Sequence, residues 1–285
     1  MKHQDEMYVG AEGRQNDPME RKGYGGAEKI RRAPSRRRIR TDAILFYGCI
    51  CLLILSVVFL LAFMKEHRAY EKAEQYYETL ADQVTQNASQ NVIFSSRVNF
   101  APLNEENPDI AAWLSIPGLS LSLPVTWCGD NQTYLHKAFD GSENRNGCLF
   151  LSAKATPDFS GCYQLIYGHH IHSGSMFGSL ANYKDADFWE KYPTFSLYTP
   201  QGDYTCTIFS CYNTVDQTDV YRVDWKQDED YAAFLKQIGD ASLYDTGVNV
   251  PDGAHVLTLS TCDSPYSGQN KRFVVHAVME KMSGM

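Results

Sequence analysis

The chain has 285 residues, 44% of them apolar, and a formal net charge of −8. That length supports one sizeable core with appendages. The charge is uneven: residues 1–40 hold 11 Lys and Arg against 6 Asp and Glu, leaving −13 on the remainder, and an acidic body argues against a nucleic-acid partner.

Residues 1–40 are polar, without an apolar period, and read as a disordered basic cytoplasmic tail. The next block, 41–64, reads as a transmembrane signal-anchor. Its positions 43–64 are 22 consecutive uncharged, mostly apolar residues. At ~1.5 Å per residue they span roughly 33 Å, enough for a hydrocarbon core of ~30 Å. Arg31, Arg32, Arg36, Arg37, Arg38 and Arg40 precede them, which places the N-terminus in the cytoplasm and residues 65–285 outside it. A cleaved signal peptide fits less well: the run is too long, and Phe63-Met64-Lys65-Glu66 offers no small-residue cleavage site.

Residues 65–98 read as a stalk or N-terminal helix, free-standing or packed on the domain, with a hinge from Asn87-Ala88-Ser89 to Ser96. A folded extracytoplasmic domain is read over 99–285. It opens with a short helix over Asn107–Leu114, Asn107 as N-cap and Pro108 at its first position. Short β-rich runs follow at Ser115–Ile116, Leu123–Thr126, Cys148–Leu151, Tyr163–Tyr167, Thr194–Tyr198, Tyr204–Tyr212, His255–Ser260 and Arg272–Val278. Many short strands separated by turn residues argue for a barrel or sandwich. Tyr231, Phe234, Leu235 and Ile238 recur at i, i+3, i+4, i+7 and predict a helix over Asp228–Ile238. A second helical stretch is expected within Ser179–Tyr192, with Ser179 as N-cap.

Eight cysteines are present. Cys49 and Cys51 lie in the span. Outside it, Cys128, Cys148, Cys162, Cys206 and Cys211 are an odd number if Cys262 is a free nucleophile, so buried thiols are favoured over a disulfide framework. A Cys206–Cys211 bridge would need a bend, because residues five apart on a strand face opposite ways. No CxxC pair exists, so no structural zinc site is expected.

The chemistry concentrates at strand ends. Cys262 ends the run Val256-Leu257-Thr258-Leu259-Ser260-Thr261-Cys262, where alternation sets Leu257 and Leu259 on one face and Val256, Thr258 and Ser260 on the other. His169 follows Leu165-Ile166-Tyr167-Gly168, Gly168 allowing a sharp exit, and Gly174 and Gly178 keep the next loop open. Arg272 begins the last strand, sharing a face with Val274, His276 and Val278; Phe273, Val275, Ala277 and Met279 take the other. A thiol, an imidazole and a guanidinium are the parts needed for acyl transfer through a thioester. His169, His170 and His172 as a metal cluster fits less well: adjacent histidines on an extended segment diverge, and no matching Asp, Glu or Cys set accompanies them.

Thr258-Leu259-Ser260-Thr261-Cys262, Tyr167-Gly168-His169 and the Cys262-x9-Arg272 spacing resemble the catalytic signature of sortases, membrane-anchored cysteine transpeptidases of Gram-positive bacteria. Class B is favoured by Asn107-Pro108-Asp109 with Trp113-Leu114-x-Ile116-Pro117-Gly118, by Gly129-Asp130-Asn131-Gln132-Thr133-Tyr134-Leu135, by Gly147-Cys148-Leu149-Phe150-Leu151, and by Gly168-His169-His170 with Gly174-Ser175-Met176-Phe177. The helix at Asp228–Ile238 also fits. The resemblance spans about residues 99–280.

It implies a mainly β fold: a closed barrel with N-terminal helices and a helix in the long connection before the catalytic-cysteine strand. It implies Cys262 as nucleophile, His169 as acid and base, and Arg272 as the donor to the substrate carbonyl or oxyanion. Ser260, Thr261 and Leu135 match residues lining a sorting-motif pocket, Asn131 a segment near the site, Tyr221 the connection walling the groove, and Asp263 a polar position after the nucleophile. The implied partners are secreted proteins with a C-terminal sorting motif, a peptidoglycan cross-bridge or its lipid-linked precursor, and the membrane. No cofactor and no metal are implied. Two other readings fit part of the pattern: a membrane-anchored thiol peptidase without transfer, and a catalytically idle β-domain that binds wall components.

Overall fold

The computed structural model describes residues 36–88, 97–171, 173–262 and 270–282; for Cys262 the backbone alone is described. Residues 1–35 of the tail, 89–96 of the hinge, His172 and Asp263 lie outside the described residues, whereas 36–40 of the tail and Asn87 and Ala88 of the hinge are helical, which corrects those readings. The chain divides into two compact units, residues 1–59 and 60–285.

Helix α1 spans Arg36–Ala88, and within it Arg40–Lys65 is long and apolar enough to cross a membrane. Further along, Tyr77, Leu80 and Val84, at i, i+3 and i+7, are buried with Val98 and Leu103 in the core of the second unit. This part of the helix packs on the domain; it is no free stalk. The Tyr77 hydroxyl donates to Gly147 O at 3.0 Å and accepts from Phe139 N at 3.2 Å. Tyr77→Phe strands both backbone groups, and the expected loss is about 1–3 kcal/mol in chemical denaturation. An unchanged midpoint would show that water replaces the hydroxyl.

Eight strands follow: β1 Ile110–Ile116, β2 Leu121–Thr126, β3 Leu149–Leu151, β4 Tyr163–Tyr167, β5 Thr194–Thr199, β6 Gly202–Val215, β7 Val256–Cys262 and β8 Lys271–Lys281. They close into a barrel in the order β1-β2-β3-β4-β7-β8-β6-β5. The pairs β2·β3 and β4·β7 are parallel and the other pairs antiparallel. The alternation read from β7 and β8 holds. Leu257, Leu259, Phe273, Val275, Ala277 and Met279 join the main core, whereas Val256, Val274 and Val278 join a second cluster.

That second cluster is covered by α4 (Glu229–Asp240), which lies in the connection between β6 and β7. Asp228 caps α4, accepting from Tyr231 N at 3.1 Å. Tyr231, Phe234, Leu235 and Ile238 are buried with Tyr163 and Leu165 of β4. The apolar stripe therefore exists to cover the outer barrel face.

Three local expectations are corrected. Asn107 does not start a helix; it ends α2 (Phe100–Glu106), which Asn99 caps, and the chain beyond it becomes β1. Its side chain does accept from Asp109 N at 2.9 Å, as a cap would. But Ile110–Ile116 is buried at nearly every residue and hydrogen-bonded on both edges, to β2 and β5, so sheet pairing overrides the local signal. Ser179 is no N-cap: a 3-10 turn runs over Gly178–Lys184, and α3 (Ala186–Lys191) is capped by Asp185, which accepts from Asp187 N at 3.1 Å. Ser179 Oγ instead lies buried without a partner among the described residues. Finally, Gly168 is needed for space: a Cβ there would lie 2.5 Å from both Leu149 Cδ2 and Phe177 Cδ2.

The seven cysteines with described side chains are free. A bulge between Ile208 and Ser210 supplies the bend in β6, so Cys206 and Cys211 reach the same core, yet both remain thiols.

Candidate active site

β4, β7 and β8 are neighbours in the barrel. Because β4 and β7 run parallel, both end at the same rim, and antiparallel β8 begins there. The parallel register pairs Tyr167 with Ser260, and Gly168 N donates onward to Ser260 O at 3.1 Å. Two residues further along each chain stand His169, just past the end of β4, and Cys262, the last residue of β7. On the other side, Cys262 pairs with Arg272. Three residues far apart in sequence thus fall at three adjacent strand ends on one rim.

A cavity of about 420 Å³ opens at this rim. Its lining includes all the predicted site residues with described side chains: Asn131, Leu135, His169, Tyr221, Ser260, Thr261 and Arg272. The volume is within the range of small-ligand and peptide sites.

His169 Nε2 lies 2.8 Å from Leu135 O. A carbonyl can only accept, so Nε2 carries a hydrogen and Nδ1 is left as the proton-exchanging nitrogen. Leu135 therefore orients the imidazole through its backbone, beyond lining the cavity. Asn131 Oδ1 accepts from Ala153 N at 2.7 Å, tying its loop to the segment after β3.

Tyr221 closes the opposite wall. Its hydroxyl lies 3.0 Å from Ser260 Oγ, and its ring stacks on Tyr167 with 6.2 Å between centroids. Tyr167 stacks in turn on Phe150 at 5.2 Å. Burial pushes the Tyr221 phenol up to about 12, so it is a neutral hydrogen-bonding group near neutral pH. Ser260 is buried and held by Tyr221; Thr261 is buried with its Oγ1 unpartnered among the described residues.

Arg272 lies within a closed barrel, flanked by Cys262 of β7 and Thr214 of β6. Its Nη1 donates to Lys271 O at 3.1 Å, and its Nη2 lies 3.7 Å from Asp216 Oδ2. Asp216 stands just past the end of β6, and its N–H donates to Asn270 O at 3.1 Å, which joins the two strand ends. Asp216, Phe150, Ser152, Lys154 and Tyr167 also line the cavity and were not singled out from sequence. Tyr167 was the readable one, sitting beside His169 at the end of an apolar strand.

Residues 114–280 match the sortase domain family. Over 220 residues, the chain is 31% identical to sortase B of Staphylococcus aureus (strain NCTC 8325 / PS 47), covering 77% of this chain and 87% of that protein. Over 190 residues, it is 32% identical to sortase B of Listeria monocytogenes serovar 1/2a (strain ATCC BAA-679 / EGD-e), covering 66% and 76%. The structure superposes on a Staphylococcus aureus sortase B–substrate complex with a TM-score of 0.69 at 30% identity, covering 75% of this chain and 98% of that one.

Proposed function

The chain belongs to the sortase family, alongside its class B members, and from that premise we propose that it is a cysteine transpeptidase. It cleaves a C-terminal sorting motif on secreted proteins and joins the acyl fragment to a peptidoglycan amino group. The observation that carries this reading is that Cys262 pairs with Arg272 at a barrel rim where His169 and Arg272 line one peptide-sized cavity. That the Staphylococcus aureus relative forms a substrate complex supports a substrate-binding role for this fold.

In this mechanism the Cys262 thiolate attacks the carbonyl carbon of the motif's Thr residue, forming a C–S bond and an oxyanion. Arg272 donates hydrogen bonds to that oxyanion, and Asp216 holds the guanidinium in place. His169 gives its Nδ1 proton to the leaving amine as the C–N bond breaks, leaving a thioester. The incoming amine then attacks the thioester, loses a proton to His169 and expels the thiolate. Leu135 O keeps the imidazole in one tautomer through both steps. The Phe150–Tyr167–Tyr221 wall offers apolar faces to the motif's side chains.

The apolar segment Arg40–Lys65 is the proposed single membrane anchor. The arginines before it put the N-terminus in the cytoplasm and the barrel on the outer face, where secreted substrates emerge.

Mass spectrometry tests the reading. Full-length protein in detergent is incubated with a library of sorting-type pentapeptides, with and without an amine acceptor, beside Cys262→Ala. The expected result is a thioester on Cys262 that becomes an amide product when the amine is added, and no adduct in the variant. A thioester that only hydrolyses would make the protein a thiol peptidase. No adduct with any peptide would overturn the proposal.

A further inference from the structure

A second cavity, about 450 Å³, lies where the α1 face bearing Glu74, Tyr77, Glu78 and Ala81 meets the β1–β2 hairpin and the loop after His169. Leu119, Leu121, Leu123 and Met176 give it an apolar floor, and Ser120, Ser122, Ser173, Ser175 and Ser179 give it hydroxyls. Among the described residues, no Lys, Arg or His lines it.

Two features go beyond an acidic surface. Asn146 lines the cavity at 4% exposure, and its Oδ1 has no hydrogen-bond partner among the described residues; Ser179 Oγ is likewise unpartnered. A buried acceptor left empty is costly and is ordinarily kept for a donor. Glu74 and Glu78 stand at i and i+4 on one helix face, a repulsive spacing, and neither has a cationic partner among the described residues. The walls are also fixed in advance: the Tyr77 hydroxyl bonds Gly147 O, next to Asn146. Acceptors over an apolar floor fit a donor-rich cation on an aliphatic stem.

The loop ties this cavity to the first. His169 faces the catalytic cavity, Ser173–Met176 line the second, and the Phe177 N–H donates to His169 O at 3.0 Å. We propose that the second cavity binds the side-chain ammonium of a diamino acid in a peptide and serves as a docking site for the amine acceptor. The acceptor role rests on the transpeptidase reading; the binding does not. A primary amine with a pKa near ~10.4 is almost wholly ammonium at neutral pH, so carboxylates capture the abundant form. Attack on the thioester then follows release and loss of one proton to solvent, the second proton going to His169 as the amide forms.

The test uses full-length protein carrying Cys262→Ala, so that nothing turns over. A short fluorescent peptide with one free lysine side chain is titrated beside its N-acetyl-lysine counterpart. Glu74→Gln/Glu78→Gln is expected to weaken the lysine peptide about five-fold or more and to leave the acetylated one unchanged. With Cys262 restored, the double variant should raise the acceptor KM by a similar factor while thioester formation and hydrolysis stay at wild-type rates. Equal binding of both peptides, or binding indifferent to the double variant, overturns the proposal. Carboxylate-dependent binding with no amide product in any protein would keep the cation site and sink the transpeptidase reading instead.

Discussion

Arg272→Ala is expected to slow amide formation by about 10²–10³-fold, the usual cost of removing one oxyanion donor. The fold should survive, because β8 is paired on both sides through its backbone and the Arg272 side chain makes no contribution to the main core. The loss is expected in kcat as well as kcat/KM, since the oxyanion exists only after attack. Arg272→Lys keeps the charge but not the planar fork, so it should recover only a small part of the rate. Asp216→Asn should give a milder loss, about ten-fold, by loosening the guanidinium. Iodoacetamide labelling of Cys262 separates the roles: a donor to the oxyanion leaves the thiol's alkylation rate against pH unchanged. Amide formation within about three-fold of wild type in Arg272→Ala would remove Arg272 from the chemistry.

Much of this site was readable because the barrel writes a two-residue period into the strands that carry it. β7 and β8 each have one face in the main core and one under α4, so both faces are apolar but their members alternate cleanly. Cys262 and Arg272 could be placed at strand ends on that basis. The α4 stripe was equally plain, since four large apolar residues at helical spacing have no other use on a polar segment. What failed was local. At Asn107 the cap chemistry is real, but whether helix or strand follows is decided by two neighbouring strands that a linear reading cannot see. Gly168 reads from sequence as the residue that allows a sharp exit from its strand; its role is set by Leu149 and Phe177, one from another strand and one from the far end of its own loop. Leu135 O and Asp216 were out of reach for a further reason. A backbone carbonyl has no signature in sequence, and an aspartate after a strand reads as an ordinary turn residue until Arg272 is seen beside it.

His276 is expected to make the domain acid-sensitive, and its replacement to flatten that response. The ring is fully buried, between Phe209 and Tyr212, with centroids 6.0 Å and 5.4 Å away. Thr258 Oγ1 donates its only hydrogen to the Tyr163 hydroxyl at 2.8 Å, and that hydroxyl donates to Val220 O at 2.9 Å. Thr258 must therefore accept from His276, whose Nδ1 lies 2.8 Å away. Nε2 is left bare and buried, without a partner among the described residues. Protonating it would create a cation beside neutral phenols: Tyr163 and Tyr212, both held uncharged by burial. Burial accordingly pushes the imidazole down to about 3 from its usual 6.5.

The sign follows from linkage. Above about pH 6.5 both the folded and unfolded histidine are neutral, and the site imposes no penalty. Below it the unfolded chain takes up a proton that the folded chain refuses until about pH 3, so stability falls as pH falls across that window. The slope is about 1.4 kcal/mol per pH unit, or about 2–3 kcal/mol between pH 6.5 and 4.5. Paired denaturation curves for wild type and His276→Phe at pH 7.5 and 4.5 measure it, and subtracting the two pH differences removes the carboxylates common to both proteins. Phenylalanine retains the aromatic packing and leaves the Thr258–Tyr163–Val220 chain intact. Identical pH differences would mean that the buried ring is reached by water or finds an acceptor. The same chain holds Val220, next to Tyr221, against the barrel. Acid should therefore release the Tyr221 wall of the catalytic cavity with the fold around His276, and activity should decline over the window in which stability does.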